Sequence, residues 1–209
     1  MMDLTQKQWV KHTLLHPIEG FEDLRWKKGG SMKYALVIVV LLFVSQFVYS
    51  RLYAFQFWFE YDKLFNVVPY IVQSVVLFAV WVVGNWAVCT LLDGEGTIRN
   101  ICIYSAYALI PFIAQRFIST IMSHFLVYDE HVFIQLVEML GISWSCLLLF
   151  QAIKSVHQYS VGKTLAAIAL TIVAMLIILF LGILLISLFQ KLYVFVYSIY
   201  MEILYRIKT

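Results

Sequence analysis

Five apolar runs, at residues 34–57, 67–92, 101–127, 132–153 and 164–189, dominate this 209-residue chain. Each reaches or exceeds the ~20 residues a helix needs to cross ~30 Å of hydrocarbon. Lipid cannot satisfy main-chain polar groups and no strand-like alternation is present, so the runs must close their own hydrogen bonds as helices. Composition supports the same solvent. Hydrophobic residues make up 63% and charged residues 13%, against roughly 45–50% and about a quarter in soluble domains. The net charge of +3 is dispersed, without the dense basic surface that tracks a nucleic-acid backbone, which excludes nucleic acid as an expected partner.

Lys7, Lys11, Arg25, Lys27, Lys28 and Lys33 cluster around the start of the first run, and Arg99, Lys154 and Lys163 fall in alternate connections. Those nine cations share one side, against five (Arg51, Lys63, Lys191, Arg206, Lys208) on the other, with Arg116 inside a run. The bias predicts a cytoplasmic amino end in the plasma membrane and, after five crossings, an external carboxyl end. Acidic residues Asp3, Glu19, Glu22 and Asp23 precede any long apolar stretch, so the first run reads as a retained anchor rather than a cleavable signal.

The expected architecture is therefore all-α integral membrane. A cytoplasmic amphipathic tail (1–32) leads into a five-helix transmembrane bundle (33–190), followed by a C-terminal interfacial helix (191–209). In the tail, Leu4, Lys7, Lys11, Leu14 and Leu15 allow a short surface helix that Pro17 should end. At the other end, residues 192–205 are too short to cross alone. There Tyr193, Tyr197, Tyr200 and Leu204 form one helical stripe opposite Ser198, Glu202 and Arg206. The ring-rich stretch Tyr53, Phe55, Phe57, Trp58, Phe59 and Tyr61 suits the headgroup level after the first span. Cys89, Cys102 and Cys146 lack metal-ligand spacing and read as small buried hydrophobes.

Chemistry-bearing residues are few. Arg116 in the third span and Glu138 in the fourth are expected to pair with each other, because an isolated intramembrane charge costs roughly 2.5–3.5 kcal/mol. Structural pairing, snorkelling and a role in moving a solute are the alternatives for Arg116. Gln46, Gln73, Gln115, Gln135 and Gln151 are candidates for an interhelical hydrogen-bond network. The sequence Asp93-Gly94-Glu95-Gly96-Thr97 reads as a tight turn whose glycines permit positive φ and whose Thr97 caps the next helix. It is also the candidate partner-docking knuckle. Pro111 should kink the third helix. Ser160-Val161-Gly162-Lys163-Thr164 fails as a phosphate loop, since His157 stands where the first glycine is required. His124, Asp129, Glu130 and His131 crowd one loop; a solvated loop is preferred over a metal site there. With no hydrolase motif, the expectation is a protein without catalytic, cofactor or metal residues.

The segment His16-Pro17-Ile18-Glu19-Gly20-Phe21-Glu22-Asp23-Leu24, the turn Gly94-Glu95-Gly96-Thr97, and the stretch from Tyr104 through Tyr107 to Pro111 resemble the Yip-domain family of Ypt/Rab-interacting membrane proteins, with a tail like its bacterial members. Tyr104, Tyr107 and Pro111 match its third-span signature, although Ala106 stands where many members have glycine. The resemblance implies a non-catalytic membrane protein that works as an accessory or scaffold subunit of other membrane proteins. An ABC-type importer, through its permease or ATPase subunits and with carbohydrate importers among the class, is the implied partner. A transporter or channel subunit with a polar path through Arg116 and Glu138, and a Rab-associated trafficking factor, are the alternatives.

Overall fold

The computed structural model describes residues 5–27, 29–57 and 66–208. Among these it is built from helices: α1 (Gln6–Leu15), α2 (Pro17–Trp26), α3 (Met32–Leu52), α4 (Val68–Ile71), α5 (Leu77–Leu91), α6 (Ile98–Ala108), α7 (Ile110–Ser123), α8 (His131–His157) and α9 (Val161–Lys208). A π-helical segment, Val72–Val76, joins α4 to α5. Five stretches are long and apolar enough to cross a membrane: Met32–Leu52, Val68–Leu91, Ile98–Ser123, Tyr128–His157 and Val161–Ile207. The chain is a multi-pass, all-α membrane protein. Leu4, Lys28, Trp58, Phe59, Tyr61 and Lys63 of the sequence reading lie outside the described residues.

α8 packs against α6 and α7, α3 lies against the same two helices, and α5 pairs with α9. At one end of the bundle, His124 Nε2 lies 2.6 Å from the Leu52 carbonyl, and the Ala54 N–H donates to Ser123 Oγ at 3.0 Å. The connections after α3 and α7 are thereby joined. The tail and the connections after α5 and α8 meet at the opposite end.

The tail is not a separate surface element. Pro17 ends α1 and, as the first residue of α2, starts a second helix with its fixed φ. The α1–α2 hairpin folds back onto α6 and α8. Phe21 and Leu24 are completely buried, in the same apolar cluster as Ala35, Leu42, Tyr107 and Leu148. Gly20 makes the hairpin tight, since a Cβ there would lie 2.7 Å from the Thr13 Cα.

The expected kink at Pro111 is a one-residue interruption at Leu109, between α6 and α7. Proline cannot donate to the preceding turn, and the next amide, that of Phe112, donates instead to Ser145 Oγ of α8 at 2.8 Å. At the carboxyl end the expected separation of a fifth span from an interfacial helix is corrected, because α9 runs unbroken for 48 residues. Neither glycine nor proline occurs after Gly182 to stop it, and at ~1.5 Å per residue it is ~72 Å long. Its fully buried residues, Thr164, Ala167 and Thr171, all lie in the first third. Cys146 is exposed, unlike Cys89 and Cys102.

Candidate functional site

The turn Asp93–Thr97 sits where the tail, α5 and the end of α8 converge. Thr97 caps α6 as expected, accepting from the Asn100 N–H at 3.3 Å. The glycines act differently from the sequence reading. The left-handed residue is Asp93, at φ 55°, and neither Gly94 nor Gly96 has positive φ. Their requirement is space. A Cβ on Gly94 would strike His157 Nδ1 and lie 2.5 Å from the Tyr159 hydroxyl; one on Gly96 would strike Val156 and lie 2.5 Å from His157 Cε1.

This close approach supports a polar chain that no local motif announces. The Gly96 N–H donates to His157 Nδ1 at 3.3 Å, which fixes Nδ1 as an acceptor and leaves the proton on Nε2. Nε2 then donates to Asn85 Oδ1 at 3.1 Å, and Asn85 Nδ2 donates to Thr171 Oγ1 at 3.2 Å. The turn, α8, α5 and α9 are cross-linked in this way, and the inner bonds, between buried His157, Asn85 and Thr171, are shielded from competing water, while the Gly96 end is half-buried. Tyr159 stacks on His157 and donates to the Cys89 and Leu92 carbonyls, each at 3.1 Å. Burial raises its phenol well above the ordinary value, so the donor keeps its proton.

Arg25 fastens the tail to the same place. Its guanidinium donates to the Ser155 and Val156 carbonyls at 2.7 and 2.6 Å and pairs with the Glu95 carboxylate. Those carbonyls belong to the last turn of α8, where a cation also complements the helix dipole. Ser155 Oγ returns a bond to the Phe21 carbonyl at 2.8 Å. Within the tail, the Lys27 ammonium, 3.1 Å from Asp23, and the adjacent His12 hold the Asp23 carboxyl below its usual range. Asp93, Glu95 and Thr97 remain exposed beside this clasp. A cleft of about 510 Å³ opens between the tail and α6, with Arg25, Trp26, Glu95, Arg99, Asn100 and Tyr104 in its walls.

Tyr104 and Tyr107 of the third-span signature are core residues, and Tyr107 is hydrogen-bonded to the Ser31 backbone where the tail enters α3. Pro111 makes the helix break, and its carbonyl lies 3.3 Å from where a Cβ on Gly141 would stand. That glycine lets α7 and α8 approach.

Arg116 and Glu138 form no direct ion pair, and both turn to Tyr49 of α3. The Tyr49 hydroxyl donates to Glu138 Oε1 at 2.7 Å, while the Arg116 guanidinium lies 4.1 Å from the Tyr49 ring centroid and 5.0 Å from that of Phe112. Aromatic faces take the place of the missing counter-ion. Next to them Gln115 and Ser119 are buried with no partner among the described residues for their side-chain polar atoms, and Arg116 Nε is likewise unbonded there. Among the described residues the five glutamines do not form the expected network, and Asn85, His157 and Thr171 take that role. In the loop before α8, His124 bonds the Leu52 carbonyl and His131 stacks on Phe57, which draws the two imidazoles to different partners. Among the described residues there is no metal-ligating cluster.

The family model of the Yip1 domain matches residues 11–200. No curated protein and no solved structure matches the chain. The match runs from within α1 to the distal part of α9, and includes the clasped tail, the glycine turn and the helix break at Leu109. On that coverage the chain belongs to the Yip1-domain family.

Proposed function

We propose that this protein is a non-catalytic accessory or scaffold subunit of the plasma membrane that acts by holding other membrane proteins, with its tail-side face towards the cytoplasm. The observation that carries this reading is the way the tail hairpin, the Asp93–Thr97 turn and the end of α8 are joined by Arg25 into one platform with exposed Asp93, Glu95 and Thr97. A preorganised polar surface of this kind lowers the ordering cost of association. The nine tail-side cations orient the platform inwards by the positive-inside rule. An ABC-type importer, carbohydrate importers included, is the partner class we assign, on the strength of the family resemblance.

Affinity purification in mild detergent with mass spectrometry of co-eluting chains tests the proposal. Co-elution of permease and ATPase subunits, lost on Glu95→Arg with Asp93→Arg, is the expected result. A clean homo-oligomer with no partner contradicts it. A second reading, a solute-conducting subunit, draws on the side-chain atoms of Gln115 and Ser119 and the Arg116 Nε, which have no hydrogen-bond partner among the described residues. It requires flux through the purified protein alone in liposomes, abolished by Arg116→Met with Glu138→Gln.

A further inference from the structure

The cleft between the tail and α6 has a chemistry distinct from the docking of a protein. Arg25 on α2 and Arg99 in the first turn of α6 enter it, with Glu95 as the one carboxylate among its lining residues. Glu95 is already paired with Arg25, so the charge of Arg99 is left over; among the described residues Arg99 has no ion-pair partner. Asn100 adds an exposed amide. The deeper wall is Tyr104, only 3% exposed, whose hydroxyl makes no hydrogen bond among the described residues. The ring is buried while the hydroxyl opens on the cleft, where solvent or a ligand can pair with it.

Position selects the ligand. Gly29 and Gly30 in the cleft wall immediately precede α3, and Arg99 and Asn100 open α6, so the mouth lies where two spans enter the bilayer. Tyr104 is six residues into α6 from Ile98, ~9 Å deeper. Trp26, 72% exposed at the rim, is the ring type that settles at the membrane interface. We infer that this cleft binds the phosphate of an anionic phospholipid headgroup, with Arg99, Asn100 and the Tyr104 hydroxyl as donors and Arg25 shared with Glu95. Basic pockets between membrane helices take headgroups in this manner. Glu95 is a resident competitor, because its carboxylate already occupies part of Arg25.

The test is native mass spectrometry of the full chain in non-ionic detergent, titrated with phosphatidylglycerol, phosphatidylcholine or inorganic phosphate. The expected result is preferential retention of phosphatidylglycerol, weakened about fivefold by Arg99→Gln and about threefold by Tyr104→Phe. Glu95→Gln is expected to tighten retention. Opposite signs for Arg99→Gln and Glu95→Gln separate a binding site from a structural role, in which both changes would act alike. Equal retention of the two lipids, or an Arg99→Gln variant that matches the parent, overturns the inference. So does inorganic phosphate that binds as tightly as phosphatidylglycerol, since the source would then be a soluble anion. Partner co-elution is a separate readout for Arg99→Gln and Tyr104→Phe, because neither change touches Asp93, Glu95 or Thr97 of the platform.

Discussion

Two polar clusters face each other across this molecule. At the tail-side end, Gly96, His157, Asn85 and Thr171 pass hydrogen bonds from one to the next, and Arg25 spends its donors on two carbonyls and a carboxylate. In the span beyond the α6–α7 break, Gln115 and Ser119 are buried and Arg116 is half-buried, yet each holds side-chain atoms with no hydrogen-bond partner among the described residues. The first cluster is satisfied and stands between four helices, so removing a member leaves an adjoining group of the chain without its partner. Removing a member of the second takes away an atom that was already alone. Similar residues thus differ in what they contribute, and the partner of each atom decides it.

The largest expected effect comes from Gly96→Val, which drives a side chain into Val156 and His157. It should cost about 2–3 kcal/mol of stability, read as an earlier midpoint when SDS is titrated into the detergent-solubilised protein. Asn85→Ala strands the His157 Nε2 donor, while the Thr171 hydroxyl keeps its bond to the Ala167 carbonyl at 2.7 Å, and should cost about 1–2 kcal/mol by the same titration. Arg116→Met sharpens the comparison from the other side. With only ring faces as partners, the guanidinium should be replaceable for about 1 kcal/mol or less. A double-mutant cycle of Arg116→Met with Glu138→Gln should show a small coupling of about 0.5 kcal/mol, carried through the shared Tyr49. A direct ion pair would give several times more.

The smallest effect is on pH. Asp23 is held below its unfolded value by Lys27 and His12, so the contribution is present above the usual carboxylate pKa of about 4 and is lost as pH falls through the lowered folded value. Acidification below about pH 4 should therefore loosen the α1–α2 hairpin before the spans, seen as Trp9 fluorescence shifting red in a variant with the other tryptophans replaced by phenylalanine. Asp23→Asn should abolish that shift.

Hydropathy alone locates the five spans, because the bilayer sets the length of each run and the loops are marked by charge, glycine or aromatic residues. The same reasoning splits α9 in two, since it measures residues 192–205 against the bilayer as a separate segment while the helix continues through Lys191 without a breaker. The tail was legible as one helix but not as a buried hairpin, for its apolar residues find their partners in α6 and α8, some 80 to 130 positions away. The pairing of His157 with Asn85 spans 72 positions and that of Asn85 with Thr171 spans 86. No local spacing encodes either. The Arg116–Glu138 expectation located both charges in neighbouring helices, yet an aromatic hydroxyl and ring from a third helix intervened, and Tyr49 is one of 13 tyrosines with nothing in its neighbourhood to mark it. The sequence reading assigns the two glycines of the turn to positive φ, whereas their requirement, close approach to Val156, His157 and Tyr159, lies across the fold.

Hydrogen–deuterium exchange along the tail probes most directly whether tail and turn form one prebuilt platform. In the detergent-solubilised protein, amides of α1 and α2 should exchange as slowly as those in the last turns of α8, and Arg25→Gln should speed tail and turn together. Tail amides that exchange at the rate of an unstructured peptide in the parent protein, while α8 stays protected, would contradict the account.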